Sequence, residues 1–135
     1  ITLVGTMEDI ADIENVLSPI SLPAQMRIAA ILLDGPDEEI IGRSRAFDTD
    51  LLHIFGFKAF LDGTLGSRTA RMYSPWEDVK GLGLWAGLAQ KGTLQTWIRD
   101  VVDAGFAPVM HAIGDAAVGK ALKVLEGHDA TTSRI

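Results

Sequence analysis

Two side chains suited to chemistry interrupt apolar segments of the chain. Lys58 lies within "LLHIFGFKAFL", and His111 follows "APVM". A lysine that loses solvation has a lowered pKa and becomes a nucleophile or a base. An imidazole in such a position can bind a metal ion or transfer protons. Spacing alone leaves two simpler interpretations open: a lysine that snorkels to solvent or pairs with Asp62, and a core histidine that donates to a backbone carbonyl.

Further polar residues follow these two positions and are candidates for substrate binding. Asp62 comes directly after the lysine segment, and "GTLGSRTA" carries Ser67 and Arg68. A guanidinium can clamp a carboxylate, and Ser67 and Thr69 can donate hydrogen bonds. Arg68 can equally be a surface residue of the loop. Asp115 follows "HAIG", and we predict it to be a helix cap first and an acid or base second.

Apolar segments of strand length alternate with amphipathic helical segments. Strands that are apolar on both faces and separated by helices predict a parallel sheet in an α/β fold. In such folds ligands bind at the carboxyl ends of the strands, where Lys58 and His111 lie. Strands are predicted at 1–4, 25–33, 51–61 and 107–113; helices are predicted after Thr6, over 93–104 and after Asp115; residues 39–50 are predicted as helix or loop and 62–91 as a long irregular segment. The spacing of Thr6 and Asp9 predicts a capping box at the first helix. The second helix is predicted to end at Gly105 and to carry an apolar stripe of Leu94, Trp97, Ile98, Val101 and Val102.

Strict alternation along a strand predicts which side chains share a face. It places Ile54, Gly56, Lys58 and Phe60 together on one face of the 51–61 strand. His53 falls on the opposite face, where we predict a structural role. We predict the same role for His128, which follows Gly127 in a loop.

The composition excludes several classes of function. The 135 residues suit one domain, and 47% of them are hydrophobic. A net charge of −6 argues against a nucleic-acid surface or an anionic-membrane surface. The absence of cysteine excludes disulfides and thiolate metal sites. No run approaches the roughly 20 apolar residues of a membrane helix, and "ITLVGTMEDI" has no basic leader. We therefore expect a cytoplasmic protein, and the initial isoleucine predicts that the chain is a piece of a longer one.

Two stretches resemble one enzyme family. "FKAFLDGTLGSRTA" resembles the signature K-x-F-x-D-G-[ST]-L-G-S-R-T-A of the YtcJ-like (amidohydrolase 3) branch of the amidohydrolase superfamily. "VMHAIGDAAV" resembles the family pattern V-x-x-H-A-I-G-D-x-A-V. The first match is long and specific, and the second supports it. The resemblance implies that residues 1–135 are part of a (β/α)8 TIM barrel in a metal-dependent hydrolase.

The resemblance also assigns roles to residues. Lys58 matches a lysine at the end of barrel strand four that is typically carbamylated and then binds a divalent metal. His111 matches the metal-binding histidine of strand five. The implied cofactor is one or two divalent ions, with zinc expected. The implied reaction is hydrolysis of amide or formamide C–N bonds other than peptide bonds, by a water whose pKa the metal lowers to about 7. Ser67 and Arg68 would shape the substrate end.

Parts of the family pattern are missing from this sequence. It contains no His-x-His pair, and it stops at "SRI", before the ligand expected on strand six. We therefore expect about strands two to five of a barrel that needs ~250 residues. The open sheet edges predict an oligomer or contact with the remainder of the barrel. We expect the isolated piece to be nearly inactive.

A second function class stays open from the sequence. The chain could be a non-catalytic α/β module, flavodoxin-like for example, that binds a ligand or a partner. Lys58 and His111 would then be structural, and the glycine-rich segment would be a ligand lid.

Overall fold

Strands and helices follow one another in the predicted order, with one additional short helix after the third strand. The computed structural model describes residues 1–17, 28–33, 35–47, 49 and 52–126. The elements are β1 (Thr2–Gly5), α1 (Met7–Leu17), β2 (Ile28–Leu32), α2 (Glu38–Ala46), β3 (Leu52–Phe60), α3 (Gly87–Lys91), α4 (Leu94–Asp103), β4 (Ala107–His111) and α5 (Asp115–Leu125). The predicted start of the second strand at 25–27, His128 and the tail fall outside the described residues.

The strands form one sheet in the order β1-β2-β3-β4. β1 pairs with β2 in parallel, and β2 pairs with β3 in parallel. The predicted α/β fold with a parallel sheet is thereby confirmed. Within the described residues, no helix is both long and apolar enough to cross a bilayer.

The chain divides into two compact units. The first comprises residues 1–58 and 101–109, and the second comprises 59–100 and the chain from Met110 onward. In the first unit, Phe57 is fully buried and meets the edge of the Phe106 ring, with the centroids 5.3 Å apart. The buried side chains of the second unit include Leu61, Ala70, Ala89, Leu94, Ile98 and Ala117.

The helix ends follow from local side-chain chemistry. At α1 the Asp9 carboxylate accepts from the Thr6 amide (2.8 Å), and the Thr6 hydroxyl accepts from the Asp9 amide (3.3 Å). This is the predicted capping box, and the bond from the Thr6 amide lowers the pKa of Asp9. Asp37 caps α2 by accepting from the Ile40 amide, which makes most of the undecided 39–50 segment helical. Gly105 ends α4 with φ +86°, as predicted.

The long segment after β3 is less irregular than predicted. Residues 87–91 form the short helix α3, which Gly92 ends in the left-handed conformation. The Ala86 amide donates to the Leu61 carbonyl (2.8 Å) and fixes the start of this helix against the end of β3. The prediction that the whole of 62–91 is irregular is therefore wrong at its carboxyl end.

A bulge in β3 changes the predicted alternation of side chains. Ala30 pairs with Ile54 while the next residue, Ile31, pairs with Gly56, so Phe55 is an extra residue. An extra residue exchanges the two faces of the strand beyond it. Leu52 and Ile54 are buried before the bulge, and Phe57 and Ala59 are buried after it. The prediction that Ile54 shares a face with Lys58 is wrong; His53 shares that face.

Gly56 lies where β3 approaches the backbone of β4 closely. A Cβ at this position would collide with the carbonyl oxygen of Ala107. A side chain here would therefore push the two strands apart, which explains a glycine inside an otherwise bulky strand.

Replacing Gly56 by alanine tests this close approach. We expect Gly56→Ala to lower the free energy of unfolding by about 1–3 kcal/mol, because the added methyl overpacks against fixed backbone. The measurement is the urea midpoint. Gly42→Ala in α2 is the matched control: its Cβ meets no atom within 4 Å, and alanine in a helix gains about 0.5–1 kcal/mol over glycine. Equal midpoints for the two variants would contradict the packing account.

Candidate functional site

His111 ends β4 and is held by two neighbours in the second unit. Its Nε2 lies 3.0 Å from the carbonyl oxygen of Gly63. Its ring packs beside Phe60, with centroids 5.2 Å apart and planes tilted by 41°. A carbonyl oxygen only accepts hydrogen bonds, so the neutral ring carries its proton on Nε2. Nδ1 is then the ring atom with a lone pair for a metal ion or a proton.

This hydrogen bond agrees with the simpler interpretation of the sequence, in which His111 donates to a backbone carbonyl. It is also compatible with a ligand. Metal-binding histidines usually donate the N–H of their other ring nitrogen to a carboxylate, carbonyl or water, which fixes the tautomer. The His111 side chain is 22% exposed, so the ring is half-buried and remains partly accessible to solvent.

Asp62 is a buried acceptor for the backbone of two segments. The residue is 3% exposed. Its Oδ2 accepts from the amides of Arg71 and Gly114, both at 2.8 Å, and its Oδ1 accepts from the amide of Ile113 at 3.0 Å. A carboxylate suits three converging donors because it only accepts and has room for about four bonds. The carboxylate therefore ties the 62–71 loop to the end of β4.

The start of α5 is built by the same loop. The Arg71 carbonyl accepts from the Ala116 amide at 3.1 Å. Gly114 is the N-cap residue, and a Cβ there would collide with that carbonyl. The prediction of Asp115 as the helix cap is wrong, because Asp115 is the first helical residue. Its carboxylate instead accepts from the amides of Tyr73 (2.8 Å) and Ala116 (2.7 Å).

Ser67 and Arg68 form contacts within their own loop. The Ser67 hydroxyl bonds the hydroxyls of Thr64 and Thr69. Arg68 has φ +57° and is 41% exposed on its side chain. Its guanidinium donates to the Asp78 carboxylate at 2.7–3.0 Å. Hydrogen bonding to Asp78 raises the pKa of Arg68, and Arg68 in turn lowers the pKa of Asp78.

Lys58 is half-buried in β3, after the bulge. It belongs to the first unit and His111 to the second, so their joint action as metal ligands stays a prediction. The substrate contacts predicted for Asp62, Ser67, Arg68 and Asp115 also stay predictions. In the part of the chain that the structure describes, no three His, Asp or Glu side chains cluster as a metal site.

The available donors fit part of a divalent-metal site. The Nδ1 of His111 is a neutral nitrogen donor with a fixed partner on the other side of its ring. A carbamate on Lys58 would add the oxygen donors that its ammonium lacks.

Sequence reasoning missed the backbone groups that position these side chains. The Gly63 carbonyl bonds His111, and the Arg71 peptide links Asp62 to α5. The available signals were Gly63 and Gly114, since small residues permit close backbone approach.

Comparison with known proteins supports a hydrolase relationship over part of the chain. No family model matches. The protein named "Putative amidohydrolase YtcJ" of Bacillus subtilis (strain 168) is 35% identical over 77 residues, or 57% of this chain. The predicted resemblance to the amidohydrolases is confirmed. The match covers only 14% of that relative's length.

Two solved structures match nearly all of the chain. An uncharacterized metal-dependent hydrolase from Pyrococcus horikoshii OT3 superposes with a TM-score of 0.70 at 25% identity. A second one, from Pyrococcus furiosus, has a TM-score of 0.68 at 27% identity. Each match covers 93% of this chain but 26% of the solved chain. The chain therefore spans about a quarter of the length of these hydrolases.

Removing the Asp62 carboxylate tests its role as a backbone acceptor. Asp62→Ala leaves one buried and two part-buried amides without their acceptor, and we expect a loss of at least about 2 kcal/mol in the free energy of unfolding. Chemical denaturation measures this loss. Asp100→Asn, at an exposed residue beside Arg99, is the control and should change stability by no more than about 0.5 kcal/mol. A loss no larger in Asp62→Ala than in the control would refute the role.

The Arg68–Asp78 pair predicts a pH dependence at acid pH. The folded-state pKa of Asp78 lies below its ordinary value of 3.8, so the pair stabilises the loop above that pH and is lost as pH falls through the lowered pKa. We expect the Asp78 carboxyl carbon, followed by NMR, to titrate below 3.8 and to move back toward 3.8 in Arg68→Gln. Identical midpoints in the two proteins would contradict the pairing.

Proposed function

We propose that this chain is part of a metal-dependent amidohydrolase that cleaves amide or formamide C–N bonds other than peptide bonds. One observation carries the proposal: the Nε2 of His111 donates to Gly63 and leaves Nδ1 for a metal. The similarity to metal-dependent hydrolases over 93% of the chain supports it. The "DGTLGSRTA" and "HAIGD" motifs support the amidohydrolase class specifically.

The proposed architecture is a (β/α)8 barrel in which β1 to β4 are about strands two to five. Parallel pairing in a sheet with strands in sequential order supports this placement. The remaining strands would come from the rest of the barrel, or another copy would cover the sheet edges. The active site of such a barrel lies at the carboxyl ends of the strands, where Phe60 and His111 end β3 and β4.

We propose that Lys58, as a carbamate, and His111 hold one or two divalent ions, with zinc expected. When bound, the metal would polarise the substrate carbonyl and generate a hydroxide-like water near neutral pH. Carbamylation replaces the cation of Lys58 with an anion that hard divalent ions accept. His111 would contribute a neutral ring whose proton is kept away from the metal by Gly63.

The proposed substrate contacts lie in the loop after β3. Ser67 and Arg68 would face the substrate, and a substrate carboxylate would compete with Asp78 for the guanidinium. Asp62 and Asp115 would contribute by holding the loop backbone, since their carboxylates already accept amides of Arg71 and Tyr73. The amide-bearing substrate would thus meet a loop whose shape is set before binding.

Metal content and turnover of the full-length protein test this function. We expect Lys58→Ala and His111→Gln each to lower bound zinc, measured by mass spectrometry, and to reduce hydrolysis of N-acyl and N-formyl amines by at least ~100-fold. Added acetate should restore part of the Lys58→Ala activity, because it supplies the missing carboxylate. Arg99→Gln, at an exposed residue of α4, is the control and should match the unaltered protein.

Two results would contradict the proposal. One is full metal content in His111→Gln together with unaltered turnover. The other is an unaltered protein that binds no divalent metal and hydrolyses none of these amides, which would favour the non-catalytic α/β module.

A further inference from the structure

We propose that Asp62 is a positioning residue that acts through Gly63 to fix the orientation and tautomer of His111. The inference deepens the proposed function, because it takes His111 as the metal ligand. It concerns a property of the ring in the metal-free protein, so it can be tested separately from the reaction.

The backbone around Gly63 is held rigidly by hydrogen bonds. Asp62 is held by the amides of Arg71, Gly114 and Ile113. Gly63 follows directly, and its own amide donates to the Thr69 carbonyl at 3.3 Å. The Gly63 carbonyl that receives the His111 proton shares its peptide with the Thr64 amide, which donates to the Thr69 hydroxyl at 3.0 Å. The peptides on both sides of Gly63 are therefore fixed.

A negatively charged carboxylate lies near the Nε2 atom of His111. The Oδ1 of Asp62 lies 3.9 Å from Nε2 of His111. This distance is too long for a hydrogen bond, but a negative charge at this range stabilises a proton on the nearer nitrogen. The carboxylate and the Gly63 carbonyl thus favour the same tautomer, with Nε2 protonated and Nδ1 open.

Neighbouring residues restrict the rotation of the His111 ring. Phe60 packs beside the imidazole, and the His111 carbonyl accepts from the Leu61 amide at 2.9 Å. Backbone and ring are therefore both held against residues 60–63, the segment that Asp62 anchors. A change at Asp62 would reach the imidazole through its neighbours in sequence.

The substitution Asp62→Asn distinguishes two roles of this residue: positioning the His111 ring and anchoring the loop backbone. Its amide oxygen can take the place of Oδ2, which accepts two amides, and the NH2 group then takes the place of Oδ1. That NH2 group would face the Nε2–H of His111 and the Ile113 amide, so donors would oppose donors. The negative charge that favours the Nε2 proton is also lost.

The matched control is Asp115→Asn. Asp115 accepts the Tyr73 amide in the same loop, so this change also removes a charge that holds loop backbone. Among the described residues, the Asp115 carboxylate accepts from the Tyr73 and Ala116 amides and makes no hydrogen bond to the His111 ring. A general loosening of the loop should therefore affect both variants, while an effect on the His111 tautomer should be confined to Asp62→Asn.

The experiment is 15N NMR of histidine side chains in the metal-free, full-length protein near pH 8. The His111 signals are identified by their absence from the His111→Gln spectrum. We expect a pyrrole-like Nε2 and a pyridine-like Nδ1 in the unaltered protein and in Asp115→Asn. In Asp62→Asn we expect the Nδ1–H tautomer to gain population. Nδ1–H as the main form in the unaltered protein, or an unchanged His111 in Asp62→Asn, would overturn the inference.

A second measurement distinguishes this inference from the proposed function. Zinc titration of the same proteins should show Asp62→Asn binding about 10–100-fold more weakly than Asp115→Asn, the range expected for a partner of a metal ligand. Equal zinc affinity in the two variants would overturn the positioning role. If His111→Gln binds zinc as tightly as the unaltered protein, the proposed metal site is wrong, whatever the tautomer.

Discussion

The second unit depends on one buried carboxylate. Asp62 receives three backbone amides, from residues 71, 113 and 114, which lie up to 52 positions away in sequence. Buried amides without acceptors cost about 1–3 kcal/mol each, and neither a hydroxyl nor an amide side chain offers enough acceptors for all three. The carboxylate therefore decides where the loop after β3 meets the chain leaving β4.

Several other contacts of the loop follow once that meeting point is fixed. Arg71 donates its amide to Asp62, and its carbonyl accepts from the Ala116 amide in the first turn of α5. The Arg71 guanidinium lies 5.5 Å from the centre of the Trp85 ring, and the Lys120 ammonium lies 4.8 Å from it. Cations over an indole face are attracted to it. Residues 71 and 85 of the loop and α5 are thus held together by both backbone and side chains.

The fold could be predicted from sequence where the signal is local. The capping box at Thr6, the apolar stripe of α4 and the glycine at 105 each involve residues a few positions apart, and each prediction is confirmed. The face of Lys58 could not be predicted reliably, since the bulge at Phe55 depends on the register against β2. The prediction that Asp115 caps α5 is also wrong, because the Arg71 carbonyl, more than 40 residues away in sequence, accepts from the Ala116 amide at the start of the helix. Neither a bulge nor a hydrogen-bond partner that is distant in sequence produces a repeating pattern of residues from which it could be predicted.

In the candidate site, the residues that hold the loop together differ from the residue that can bind a metal ion. Most polar side chains of the "DGTLGSRTA" motif are engaged within the second unit: Asp62 with backbone amides, Ser67 and Thr69 with each other, and Arg68 with Asp78. The motif that carries the family resemblance therefore mainly determines the conformation of this loop. The loop conformation also affects the chemistry of His111. It places the Gly63 carbonyl within hydrogen-bond distance of Nε2, so the proton of the neutral ring is on Nε2 and the lone pair is on Nδ1. The motif and the imidazole are in this way parts of one arrangement, although the motif supplies no ring nitrogen of its own.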